Sequence, residues 1–418
     1  MLNLKLNYGN SHIPLAYSQN QFQVLDNSTA ETALTDREIG EKFDNPINSK
    51  PFEELISQDE SILIVVPDAT RQTACGQIVN LLVRRLIANG IMPHDIRIIF
   101  ATGIHRRVTE DEKKELLTPF IHQRIKTLDH NPRDLAQIVR VGETSDGIPI
   151  ELNRALIEHD RVIIVGGIGF HYFAGFTGGR KLICPGLASS RTIAATHKLA
   201  FDCAIKSRRE GVDTGVLDGN AVHEAFMSVV ERMPPTFAVN TFVNERGEAT
   251  DLICGDWIES HRAACKVFAA KNTVKITEKR DFVIVSCGGT PHDLNLIQAH
   301  KSLDAASRAC RDGGRIILLA ECGEGTGRKD FLNWFEAENS SRLAEKLCES
   351  YQVNGQTAWN LLRIAERFDV RIITALPETE TRPMRLQKAR SLDEVLAGSN
   401  SAATGYVLPF GAKVLPSL

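Results

Sequence analysis

Apolar residues fall into short blocks, and changes in their spacing predict the elements. Residues 1–26 alternate apolar and polar (LNLKL, HIPLAYS, FQVLD), the period of half-buried strands, and predict a small antiparallel sheet. Residues 27–60 are polar with scattered helix signals. Residues 62–66 form a continuous apolar run, as in a strand covered on both faces. A helix is predicted over 76–88 from Ile78, Leu81, Leu82 and Ile87, and a second strand over 96–100. Thr109, with Glu112 three residues on, forms a capping box and starts another helix. A further strand is predicted over 162–165 and a helix over 189–197. Residues 205–275 read as mostly helical with one strand at 236–242.

The stretch 271–281 is charged and has no periodic apolar face, which marks a domain boundary. The expectation is an N-terminal domain over 1–275 and a C-terminal α/β domain over 276–418. The second domain would hold the strand FVIVS, a helix to about residue 310 and the strand RIILLA. Helices at 340–350 and 357–368, the strand RIITAL and a terminal strand follow. Strand, polar loop and helix recur, which is the pattern of a parallel α/β sheet. The loops at 67–71, 101–106 and 166–181 each follow a strand. They should therefore gather at the carboxyl edge, where such sheets bind ligands.

A length of 418 residues agrees with two domains. With 43% hydrophobic and 24% charged residues, the chain is balanced like a soluble globular protein. A net charge of −3 offers no basic field for nucleic acid or anionic membrane. No apolar run approaches the roughly 18 residues of a membrane span, and the N-terminus lacks a signal-peptide layout. A cytoplasmic enzyme is the expectation. The nine cysteines form no Cys-x-x-Cys pair and are read as buried reduced thiols.

Candidate chemistry concentrates in four stretches. The longest, 170–197 (FHYFAGFTGGRKLICPGLASSRTIAATH), holds His171, the glycines Gly178 and Gly179, Arg180, Lys181 and His197. Its glycine turn and basic pair suit an anionic group, although Leu182 breaks the Walker register. Lys181 could be a point charge or a nucleophile. His197 could equally be a helix-end imidazole interacting with the helix dipole. His105, in the loop 102–106, could pair with His171 as acid and base on opposite faces of a substrate. Asp68, Thr70 and Arg71 form the third stretch, where Arg71 offers a fork for a carboxylate. The fourth is 286–301 (SCGGTPHDLNLIQAHK), where Gln298 and Lys301 share a helical face.

Together and in this order, PDATR, ATGIHR, FHYFAGFTGGRKLICPG with His197, and SCGGTPHDLNLIQAHK resemble the nickel-dependent lactate racemase family. The motifs cover residues 60–305. The resemblance implies a two-domain α/β enzyme with its active site in the interdomain cleft. It implies a racemase or epimerase inverting C2 of a 2-hydroxy acid by hydride transfer to and from a nickel-pincer nucleotide. That cofactor is nickel pyridinium-3,5-bisthiocarboxylic acid mononucleotide, and it depends on cofactor-biosynthesis proteins as partners. In the family it can be tethered to a lysine, matched by Lys181, and its nickel is bound by a histidine, matched by His197. His105 and His171 match the two catalytic histidines, and Arg71 and Lys301 the carboxylate clamp. Gln298 matches a polar residue beside the substrate, and Asp68 and Thr70 match motif residues near it. Ile297 departs from the pattern, standing where lactate-specific members carry an aromatic ring. The substrate side chain is therefore left open among lactate, malate, an aryl-lactate and a sugar acid.

Two other classes compete. A hydrolase or lyase with a conventional divalent metal would need a third ligand at recognisable spacing, and the sequence offers none. A non-catalytic nucleotide or cofactor carrier would need the lysine and glycine turn, but not two histidines and a carboxylate clamp.

Overall fold

The computed structural model describes residues 2–26, 31–397 and 403–418. The chain forms two compact α/β units, each with a parallel-rich sheet and its own apolar core. The larger comprises Thr29–Ala200 and Glu210–Ala269; the smaller comprises Met1–Ser28, Phe201–Arg209 and Ala270–Leu418. The chain therefore passes between them four times. This division differs from a single boundary at 275, because the first strands join the C-terminal sheet and the 201–209 excursion packs on the C-terminal helices.

The larger unit is built on six strands in the order Ala249–Gly255, Phe237–Val243, Arg161–Gly167, Ile62–Pro67, Ile96–Ala101 and Lys126–Asp129. All pairs are parallel except the outermost, Phe237–Val243 with Ala249–Gly255. The Ile62–Pro67 strand lies between two others and is buried at every position, which explains its unbroken apolar run. The helix Cys75–Ala88 covers it with Ile78, Val79, Leu82, Val83 and Leu86. The helix Glu110–Leu116 begins at the predicted Thr109–Glu112 capping box. Two parts of this unit escaped the sequence reading. The hairpin of Ile138–Glu143 with Pro149–Asn153 was missed. The region after 205 holds two antiparallel strands between the helices Ala221–Val230 and Glu259–Asn272.

The smaller unit carries a six-stranded, wholly parallel sheet. Its order is Gln387–Lys388, Asp369–Ile373, Cys310–Leu319, Arg280–Ser286, Gly405–Leu408 and Phe22–Val24. The N-terminal alternation does form an antiparallel hairpin, Leu2–Tyr8 with Ser11–Tyr17. Phe22–Val24 leaves that hairpin and becomes the edge of the parallel sheet instead. The hairpin turn is fastened to the sheet's carboxyl edge. Gly9 N–H donates to Asp293 Oδ2 at 2.7 Å, and Ser286 Oγ donates to Asn7 O at 2.5 Å.

The expectation of nine reduced thiols needs a correction. Seven cysteines are buried and unpaired, but Cys203 and Cys348 form a disulfide. Cys203 is exposed and Cys348 is half-buried against the apolar core, where the 201–209 excursion meets the helix Ser340–Glu349.

Candidate active site

Three adjacent strands of the larger unit, Arg161–Gly167, Ile62–Pro67 and Ile96–Ala101, run in register and end together. The predicted loops therefore leave one sheet edge side by side. Gly103 N–H donates to Gly186 O at 2.9 Å and ties the second loop to the end of the third.

Asp68 is the junction of the first two loops. Its Oδ1 accepts from the Thr70 hydroxyl at 2.5 Å and the Thr70 N–H at 2.9 Å. Its Oδ2 lies 2.7 Å from Nδ1 of His105. Burial pushes this carboxyl upward. The His105 charge and hydrogen bond, with Arg71 and Thr70, outweigh that effect and hold it well below the usual carboxylate range. Arg71 is itself pulled down by burial and supported by Asp68. The carboxylate fixes the His105 ring and leaves Nε2 for other chemistry, the arrangement of an oriented acid/base. Thr70 serves Asp68 directly.

The third loop brings His171, Lys181 and His197 around shared aromatic rings. His171 closes the two-residue strand Phe170–His171, which pairs with Gly175–Phe176. Its ring lies edge-to-face with Phe173 at 4.5 Å. Phe173 also meets the His197 ring at 5.3 Å, and Lys181 Nζ lies 5.7 Å from the Phe173 centroid. Phe226, from the helix Ala221–Val230, closes the group at 5.5 Å from Lys181 Nζ and 5.4 Å from His197. Burial first, then the neighbouring Lys181 charge, lowers His197 to about 3. It is therefore a neutral imidazole at physiological pH. That favours a nitrogen lone pair suited to a metal over the helix-dipole reading, which needs a cation. The helix that carries it, Ser190–Lys198, is capped by Ser189.

The glycine turn is packed by protein on its Cβ side. A Cβ on Gly179 would sit 2.5 Å from His261 Cδ2, and one on Gly178 would sit 2.9 Å from Ile168 Cδ1. Both residues also have positive φ. Packing and backbone conformation thus account for glycine here. Arg180, expected as half of a basic pair for an anion, turns inward and is buried.

Gln298 and Lys301 belong to the smaller unit, on the helix Leu296–Ala309. Lys301 Nζ donates to Gln298 Oε1 at 2.5 Å, so the predicted shared face is present. Asn295 caps the helix by accepting from Gln298 N–H at 3.1 Å. Ile297 packs against the apolar core of that unit.

Phe226 and His261 were missed from sequence, and no local signal marks either one. Among the described residues, no group of three or more His, Cys, Asp or Glu side chains is arranged to hold a metal ion. No described helix is long and apolar enough to cross a membrane.

Known proteins resemble this chain over nearly its whole length. The lactate racemase N-terminal domain model matches residues 8–208, and the lactate racemase C-terminal domain model matches residues 275–408. A lactate racemase from Lactiplantibacillus plantarum is 30% identical over 93% of this chain and 92% of its own. One from Thermoanaerobacterium thermosaccharolyticum is 28% identical over 99% of both. The solved lactate racemase apoprotein from the latter organism superposes with a TM-score of 0.90 at 26% identity, covering 100% of both chains. A Thermotoga maritima protein shares the fold, with a TM-score of 0.71 at 20% identity over 93% of this chain and all of its own.

Proposed function

The chain belongs to the lactate racemase family of isomerases, and from that premise we propose that it racemises or epimerises C2 of a 2-hydroxy acid, with lactate the first substrate to test. One observation carries this reading most: His105 and His171 stand on loops from one sheet edge, and His171 shares the Phe173 ring with His197 and Lys181. Inversion at C2 needs a base on each side, because the two enantiomers present their hydroxyls to different groups. We assign those bases to His105 and His171. Asp68 orients His105 and Arg71 suits the substrate carboxylate, while the family resemblance assigns Lys301 to the carboxylate and Gln298 to the substrate as well. The bidentate fork of Arg71 and the point charge of Lys301 both suit a carboxylate.

The residues fit the cofactor that the family implies. His197 offers a neutral nitrogen, and Phe173 and Phe226 wall it off together with Lys181. His197 would ligate nickel and Lys181 would hold the nucleotide, with Gly178 and Gly179 in the adjoining turn. When bound, the nickel-pincer nucleotide supplies reversible acceptance of the substrate's Cα hydride. The chain's own work is to clamp the carboxylate, take the hydroxyl proton on one side and return one on the other.

The test is to express the chain with the cofactor-biosynthesis proteins and follow D/L interconversion of a 2-hydroxy acid panel by chiral chromatography. Interconversion is expected, with nickel in the purified protein. His105→Ala and His171→Ala should each cut the rate by about 10²-fold or more, the usual scale of acid–base catalysis. No interconversion of any panel member, together with no nickel, would end the proposal.

A further inference from the structure

Among the described residues, Arg180 is the largest side chain wholly enclosed by the protein. It adjoins Lys181, yet its donors serve the chain itself. Nη2 donates to Ala174 O at 2.7 Å and Nη1 to Phe176 O at 3.1 Å, with His261 Nε2 also 3.1 Å from Nη1. No described carboxylate pairs with it, and its Nε has no partner. Burial lowers it to about 10, so it remains a cation. A buried guanidinium without a counter-ion is costly unless what it holds matters.

What it holds is the turn that follows His171. Ala174 is gripped from both sides: Arg180 takes its carbonyl, and its N–H donates to His171 Nδ1 at 3.2 Å. The other candidate base has the opposite kind of partner, because Nδ1 of His105 faces the Asp68 carboxylate. A carboxylate only accepts, so neutral His105 carries its proton on Nδ1 and a lone pair on Nε2. A backbone N–H only donates, so neutral His171 carries its lone pair on Nδ1 and its proton on Nε2.

We propose that Arg180 is a positioning residue which, through Ala174, sets His171 in the Nε2–H tautomer, opposite to the Nδ1–H tautomer that Asp68 sets in His105. The geometry stands by itself; its catalytic meaning rests on the reading of the two histidines as bases. The resting site then offers a hydroxyl group one accepting nitrogen, on His105, and one donating nitrogen, on His171. For the enantiomer deprotonated on the His171 side, the ring must first change tautomer. One N–H bond breaks at Nε2, one forms at Nδ1, and the Ala174 bond is given up. Racemisation has an equilibrium constant of unity, so kcat/KM is equal in both directions. The asymmetry has to appear in kcat and KM separately.

The test is nitrogen NMR of the full-length, cofactor-free chain labelled with 15N-histidine, at a pH where both rings are neutral. Couplings from ring nitrogens to carbon-bound protons report the tautomer, and His105→Gln and His171→Gln assign the signals. The expected wild-type result is Nδ1–H for His105 and Nε2–H for His171. The same tautomer in both overturns the proposal whatever the variants do. Arg180→Lys keeps the charge but cannot span both carbonyls. It should shift His171 towards a mixture and leave His105 unchanged, whereas a purely structural role would lower the melting temperature without moving the tautomer. Arg180→Gln is read in the same way should the lysine variant not fold. Opposite tautomers without racemase activity would refute the functional reading and leave this inference standing.

Discussion

At the scale of single residues, the site depends on groups that act through another group. Asp68 touches His105 and Thr70. Asp68→Asn replaces the carboxylate that orients the His105 ring, and is expected to lower kcat by about 10²-fold with the fold intact, checked by steady-state kinetics and circular dichroism. Gly179→Ala should cost about 1–3 kcal/mol of stability, because the new methyl meets His261 at an unfavourable positive φ. Denaturant unfolding measures it, and an unchanged midpoint would mean that His261 moves aside freely. The motif residues were legible in the sequence because glycine, histidine and lysine after an apolar run form a local signal. Phe226 was not, since it is 45 positions from Lys181 and looks like any other apolar residue of a helix. Arg180 misled for a related reason: a basic pair reads as solvated or anion-binding until the fold shows carbonyls around one member.

At the scale of elements, the buried parallel strands were the most legible, because a strand covered on both faces must be apolar throughout. The edges were the least. Ala249–Gly255 and Phe22–Val24 are outermost strands; the first falls in a region that reads as mostly helical, and the second reads as part of an antiparallel sheet. The 201–209 excursion was also invisible, since short irregular segments are placed by what they pack on. Its disulfide joins residues 145 apart in sequence. Chain-entropy reasoning for a loop of that order gives about 5 kcal/mol of stabilisation in the oxidised protein. Cys348→Ser is therefore expected to lower the unfolding midpoint of oxidised protein and to leave dithiothreitol-treated protein unchanged. Equal midpoints for oxidised wild type and variant would show that the bond contributes nothing.

At the scale of the whole molecule, acid is the predicted weakness. Burial lowers both His130 and His300 to about 4. Unfolding exposes them to water, where each takes up a proton near its ordinary value. Both states are neutral above about pH 6.5, so neither residue affects stability there. As the pH falls from 6.5 towards 4, only the unfolded chain gains protons and the folded state loses ground. Each residue then costs about 1.4 kcal/mol per pH unit. His130→Gln should therefore recover about 2 kcal/mol of the stability lost between about pH 6.5 and 5, read from urea unfolding at both values. An unchanged pH slope would place the acid sensitivity elsewhere.

The pairing of Phe22–Val24 with Gly405–Leu408 also sets an order of events during synthesis. The strand made among the first must wait for the strand made among the last. The larger unit, whose residues end at Ala269, has all its sequence outside the ribosome long before that pairing is possible. It can fold while the leading hairpin is still unpartnered. A stalled chain ending near residue 300 should then protect the larger unit against protease and leave residues 2–26 open to cleavage. Truncation at the C-terminus should consequently damage the beginning of the chain before it damages the middle.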